Sequence, residues 1–272
     1  MKKILQRIAI VRICGIGAVL FLLFMTLSGQ GKSSQPADSL KVVHIFVALC
    51  DNLHQGIVPV PAELGNGQSP RTNLYWGARY GVKSFLAASE DWNLVRTKNG
   101  SRKSILERCI FTSGDSAVLI VADAYDGKEI KKTVEDFLLA AAGSLKDSAE
   151  IANVSVSCGS GADLVAYVGH NGLMDFSLSE YPKSQDSTCR ETIILACASK
   201  SYFAAAIDSA GACPLLWTTG LMAPEAYTLL AAIESWAMGQ PKDSVWTRAA
   251  AAYSRYQRCS LNDSQALIVT GR

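Results

Sequence analysis

No two of the eight cysteines stand in a CxxC pair, so the chain offers neither a zinc ribbon nor a thioredoxin-type redox motif. A GxSxG elbow, a GxxxxGK(S/T) phosphate loop and a strand-linked GxGxxG are also missing, which argues against a serine α/β-hydrolase, a nucleotide hydrolase and a dinucleotide enzyme. No cofactor is therefore expected. Charge is scarce, at 18% of residues against 49% hydrophobic, and 272 residues of that composition make one large packed domain rather than a disordered chain. No Lys/Arg stripe and no internal repeat is present. Four basic residues and no acid lie within the first twelve positions, which leaves 22 basic against 24 acidic residues and a net charge of −2 for the rest. A near-neutral body of this kind gives no reason to expect nucleic acid as a partner.

What the N-terminus does carry is directional. Lys2, Lys3, Arg7 and Arg12 precede an almost wholly apolar run over residues 13–27, the order of a secretory signal. Gly29 and Gly31 suit a cleavage site that excludes bulk, so residues 1–31 are expected to be a signal peptide. Uncleaved, the same run is a short membrane anchor, a little under the ~20 residues that span a bilayer. Either way the chain is expected to be exported, to the periplasm or cell envelope. Cys50, Cys109, Cys158, Cys189, Cys197, Cys213 and Cys259 follow, an odd set, so at least one thiol stays unpaired even in an oxidising compartment.

After a Ser/Gln/Pro linker at 32–41, residues 42–259 read as one α/β domain and 260–272 as a loose tail. The run 42–49 is a continuous apolar strand of the kind covered on both faces. Three prolines and several glycines over 51–70 exclude a helix, while 73–89 has helical apolar spacing weakened by Gly77 and Gly81. Residues 92–97 and 105–112 flank an Asn-Gly turn as a hairpin beside the main sheet. Strands at 117–122, 164–168, 193–196 and 215–217 alternate with helices at 128–145, 201–210, 224–238 and 245–259. Such alternation implies a mostly parallel sheet with helices on both faces.

In open α/β sheets ligands gather beyond the carboxyl ends of the strands. The polar residues that follow the apolar runs are Asp51 and Asn52, Asp123 and Asp126, Gly169-His170-Asn171-Gly172, and Cys197 with Ser199. Of three histidines, His44 lies inside a strand, His54 in the proline-rich loop, and His170 at a strand end between glycines, the best place for a base. Cys197 ends a neighbouring run, and a thiol beside an imidazole is activated as thiolate without a tightly placed third residue. Asp51, Asn52 and Gln55 sit where a loop could line a specificity pocket, or form an Asx turn leading into the prolines. Tyr75, Trp76, Trp217 and Trp236 fit core packing better than a sugar platform.

Asp163-Leu-Val-Ala-Tyr-Val-Gly-His170-Asn-Gly and Thr192-Ile-Ile-Leu-Ala-Cys197-Ala-Ser resemble the His and Cys strands of caspase-like peptidases, most nearly the CHAT type. Ala210-Gly-Ala-Cys-Pro-Leu-Leu-Trp217-Thr-Thr-Gly is similar to the strand that follows, and the likeness spans 163–239. The resemblance implies a caspase-like α/β sandwich and a dyad that hydrolyses peptide bonds, with His170 as base, Cys197 as nucleophile and backbone amides around Gly169, Asn171 and Gly172 holding the oxyanion. The family's glycine directly after the histidine is Asn171 here, with Gly172 one position later, and the stretch between His170 and Cys197 is short for the family.

Three functions stand side by side at this point. One is an exported cysteine peptidase acting on a peptide or protein substrate, with no metal. Another is a non-catalytic caspase-like binding domain in the cell envelope, favoured if Cys197 is buried or disulfide-bonded. The last is a metal-dependent hydrolase in which Asp51, Asp123 and Asp126 converge on Mg²⁺, although Asp126-Gly127-Lys128 serves equally well as a helix start.

Overall fold

Lys41–Ala48 forms β1, and every residue after the first is buried because the run Val-Val-His-Ile-Phe-Val-Ala presents bulk to both faces at once. The computed structural model describes residues 40–271 apart from Ser101. From β1 the chain passes through a long irregular loop to α1 (Val82–Ala87), then β2 (Trp92–Lys98), β3 (Ile105–Ser113) and β4 (Val118–Tyr125). A helical turn at Gly127–Glu129 leads into α2 (Ile130–Ala141), followed by β5 (Lys146–Ile151), β6 (Val154–Gly159) and β7 (Leu164–Val168). A second short turn, Gly172–Met174, precedes β8 (Glu191–Leu195), α3 (Ser199–Ala210) and β9 (Cys213–Thr218). The chain closes with α4 (Ala226–Ala237), α5 (Lys242–Gln257), α6 (Leu261–Leu267) and β10 (Ile268–Val269).

Eight strands make one sheet in the order β10-β9-β8-β7-β1-β4-β3-β2. The central run from β9 to β4 is parallel, and antiparallel pairs flank it on each side. Val43, Ile45, Val47 and Leu49 pack one face against α1, α4 and α5; Val42, Phe46 and Ala48 pack the other against α2, α3 and the β5–β6 hairpin. The protein is an α/β sandwich with a mostly parallel sheet between two helical layers. No helix among the described residues is long and apolar enough to cross a membrane.

Several local expectations are corrected. The helix expected over 73–89 contracts to α1, because buried Asn73 spends its side chain on Cys50 N and O and the Asn66 carbonyl, holding 73–80 in turns until Gly81. Lys41, counted with the linker, already belongs to β1. The β2–β3 hairpin joins the main sheet as its edge instead of standing beside it. A second hairpin, β5–β6, turns through Ala152 and Asn153, both at left-handed φ, and its polar alternation carries few apolar residues to mark it. Residues 260–271, expected within a loose tail, are ordered elements: Ser260 caps α6, and β10 pairs with β9. Residues 1–31, expected to be a signal peptide or anchor, lie outside the described residues.

Candidate active site

His170 and Cys197 each stand two residues beyond the end of a strand, and those strands, β7 and β8, are adjacent and parallel with Val168 opposite Leu195. The ladder continues one step further through Gly169 N–H donating to Leu195 O at 3.2 Å, so the two residues emerge side by side at the carboxyl edge. Asn171 Nδ2 ties the two ends together by donating to the Cys197 carbonyl at 2.7 Å. Cys197 is a free, partly exposed thiol, whereas His170 is largely covered. Among the described residues no hydrogen bond joins imidazole to thiol; the sulfur faces the Met222 peptide instead, with Met222 N–H 3.4 Å and Met222 O 3.6 Å from Sγ.

The backbone turns sharply at the cysteine. Ala198 has φ 48° and ψ 34°, a left-handed conformation that an alanine adopts only where its surroundings insist. Here they do: Ala198 N–H donates to Gly220 O at 2.7 Å, Ser199 N–H to Thr218 Oγ1 at 3.1 Å and Ser199 Oγ to Ile194 O at 2.9 Å, while the Thr218 hydroxyl bonds the Ala196 carbonyl. Strand, elbow and helix thus deliver Cys197 to a position just before the N-terminus of α3. The Tyr75 and Tyr253 hydroxyls lie in the neighbourhood of the sulfur.

At the histidine, Gly169 has φ 147°, and a β-carbon there would lie 2.8 Å from the Ala48 carbonyl, so only glycine permits the close passage of β7 over the end of β1. The Tyr167 hydroxyl donates to the His170 carbonyl at 2.7 Å, and His170 Nε2 lies 2.8 Å from Asp175 Oδ2. Asp175 also accepts the Gly56 N–H from the loop after β1, at 2.9 Å.

Of the groups expected to hold the oxyanion or line a substrate loop, the Gly169 amide and the loop side chains have other partners. Gly169 N–H is spent on the sheet, the Asn171 side chain on Cys197 O and Leu173 N–H, and Gly172 is packed beneath Phe176 and Ile130. Asp51 forms the Asx turn, accepting Leu53 N–H at 2.9 Å, and its other oxygen receives Gln68 and His54. Burial opposes its ionisation, but those bonds hold the carboxyl below the usual range. Asn52 clasps Val60 through both backbone groups, and Gln55 bridges Leu49 O, Gly127 O and Asp51 N–H. These three side chains shape the loop rather than a pocket.

The three aspartates do not converge. Asp51 and Asp126 share Gln68 Nε2 at 2.8 Å each, whereas Asp123 lies within β4, which runs to Tyr125 instead of ending at Ala122, and points into the opposite, α2-side layer. There Arg108 Nε and one terminal nitrogen each reach an Asp123 oxygen at 2.6 Å, and Arg108 also binds Asp147 and the Ser148 carbonyl. His44 accepts Gly159 N–H at Nδ1, which fixes its proton on Nε2, 3.0 Å from Asp123. Burial disfavours the Asp123 carboxylate, yet Arg108 and His44 hold its pKa down at about 2. His44, Asp147 and Cys158 come close enough to surround a cation, but both His44 nitrogens and both Asp147 oxygens are already bonded, and Arg108 occupies the neighbouring space. Burial first, then Asp147, raises the Cys158 thiol to about 12, far from ligand character.

Tyr75, Trp76 and Trp217 are buried, and Trp236 is partly buried with its indole on Glu191, so none forms an open aromatic platform. Two residues escaped the sequence reading. Asp175 was visible in principle, as an acid five residues after a glycine-flanked histidine; Met222 was not, because its contribution is a backbone peptide. Comparison of the chain with protein-family models, curated proteins and solved structures finds no match.

Proposed function

We propose that the protein is an exported cysteine hydrolase that cleaves peptide bonds, with Cys197 as nucleophile and His170 as general base and acid. The carrying observation is the Cys197 elbow: a free, partly exposed thiol just before α3, one strand from the histidine, followed by the left-handed Ala198 in a turn locked by four hydrogen bonds. A core cysteine needs none of this, whereas a nucleophile must be held out of its strand in one position.

In the reaction His170 takes the thiol proton, and the thiolate attacks the scissile carbonyl, forming the C–S bond. As the C–N bond breaks, the imidazolium returns the proton to the departing amine. A water deprotonated by His170 then attacks the thioester, the C–S bond breaks and the thiolate is restored. The Met222 N–H directed at Sγ supports the anionic state.

The rim of the site favours apolar peptide. Leu53 and Val58 in the loop after β1 and Leu221 after β9 are 84%, 88% and 77% exposed, and β1 and β9 border β7 and β8 on either side in the sheet. Three of the acids near these loops are engaged: Asp51 by Gln68 and His54, Asp126 by Lys128 and Gln68, Glu225 by Tyr227 and Gln257. Export is supported by the Cys189–Cys213 disulfide, which belongs to an oxidising compartment.

The test is labelling of the full chain with a thiol-directed electrophile, comparing wild type with His170→Ala and Cys197→Ala, alongside a peptide library. Fast labelling at Cys197 that collapses without His170, with cleavage next to bulky aliphatic residues, is the expected result. Labelling elsewhere, or only after denaturation, leaves a binding domain.

A further inference from the structure

His170 has one ring nitrogen hydrogen-bonded and the other without a hydrogen-bond partner among the described residues. Its Nε2 meets Asp175 Oδ2 at 2.8 Å, and a carboxylate only accepts, so the ring proton sits on Nε2 and Nδ1 keeps its lone pair. The contact is partly shielded, with side chains 8% and 29% exposed. From the other side Asp175 Oδ2 receives the Gly56 N–H at 2.9 Å. Gly56 is not at a left-handed φ, yet a β-carbon on it would fall 2.4 Å from Asp175 Oδ1. A side chain at position 56 would therefore have to displace the carboxylate, whereas the local backbone does not itself demand glycine.

We propose that Asp175 is a positioning residue of this site: it orients His170 with Nδ1 free to take the Cys197 proton, and the loop after β1 holds it there through Gly56. The inference rests on the Cys197/His170 reading and departs from the dyad that the caspase-like resemblance implies. When Nδ1 receives the thiol proton the ring becomes an imidazolium, and Asp175 offsets that charge without itself taking a proton. The anchored acid also gives the short turn after β7 a purpose, because Asn171 caps Gly172–Met174 and so sets where Asp175 leaves it. Other titratable groups facing the pair are Tyr167 beside Asp175, and Tyr75 and Tyr253 beside Cys197.

The experiment uses the full chain with Asp175→Ala, Asp175→Asn and Gly56→Ala, and with His170→Ala as reference. Imidazole ¹⁵N shifts report the tautomer of His170, and iodoacetamide labelling of Cys197 is followed from about pH 5 to 9. Wild type is expected to hold the Nε2–H tautomer and Asp175→Ala to lose it. Labelling near pH 7 is expected to fall at least about tenfold in Asp175→Ala and in Gly56→Ala, with the low-pH limb moved to higher pH. Gly56→Ala changes no ionisable group, and Asp175→Asn keeps the shape should the alanine variant fold poorly. A purely structural role lowers the melting temperature but leaves tautomer and profile as in wild type, and overturns the proposal. If Asp175→Ala and Gly56→Ala label like wild type while His170→Ala is slow, the dyad stands without Asp175. If wild type and His170→Ala are equally slow, the hydrolase reading falls and takes the positioning role with it.

Discussion

Arg108 carries its charge into the α2-side layer with all five donors taken, by Asp123, Asp147 and the Ser148 carbonyl. Removing one partner of such a group leaves uncompensated charge, so Arg108→Met is expected to cost about 3–5 kcal/mol in urea unfolding near neutral pH. The acid dependence should separate it from wild type. Asp123 binds its proton less readily folded than unfolded, so its contribution of about 2 kcal/mol is complete above roughly pH 4 and drains away as pH falls toward 2. Wild type should therefore weaken over that window, while Arg108→Met, whose buried Asp123 and partly buried Asp147 then gain by protonation, should narrow its deficit. A deficit that stays constant from pH 7 to 3 would refute the pairing as the source. Asp123 looked like a strand-end ligand in the sequence because its apolar run stops at Ala122; only the antiparallel neighbour β3 supplies the cation that lets the strand continue through it.

At the scale of elements, the segment between His170 and Cys197 shows what the covalent chain adds. Residues 177–190 have no helix or strand, and Cys189 at their end is tied to Cys213 at the start of β9, a sequence separation of 24. Closing a loop of that length in the unfolded chain is worth about 3 kcal/mol. The Cys189→Ser/Cys213→Ser pair is expected to lose that much in chemical denaturation and to match wild type measured with reductant; an unchanged midpoint would mean the bond does not form in solution. Pairing was not legible from cysteine spacing, since any two of an odd set were available. Element types fared better: periodicity located the parallel strands and the longer helices, but not β5–β6, whose exposed outer face leaves only Ala149, Cys158 and Gly159 buried.

Across the whole molecule, the last residues act on the site. Ile268 is fully buried, Trp246 Nε1 donates to its carbonyl at 2.6 Å, and Thr219 N–H donates to Leu267 O at 2.9 Å. Thr219 and Gly220 lead directly to Met222, so the C-terminal segment braces the loop that faces the Cys197 sulfur. Deleting residues 261–272 is expected to lower stability by about 2 kcal/mol or more from lost Ile burial and hydrogen bonds, and to slow labelling of Cys197. A truncated chain with wild-type melting temperature and labelling would show that the brace is dispensable.

The sequence by itself determined that this is an α/β chain with buried parallel strands, and it singled out His170 and Cys197, because apolar periodicity and glycine placement are local properties. It could not decide what those residues meet. Gly56 reaches Asp175 across 119 positions, Met222 reaches Cys197 across 25, and His44 reaches Asp123 across 79. Strand order selects such partners, and strand order follows from packing both faces of the sheet together, which no stretch of the chain encodes alone.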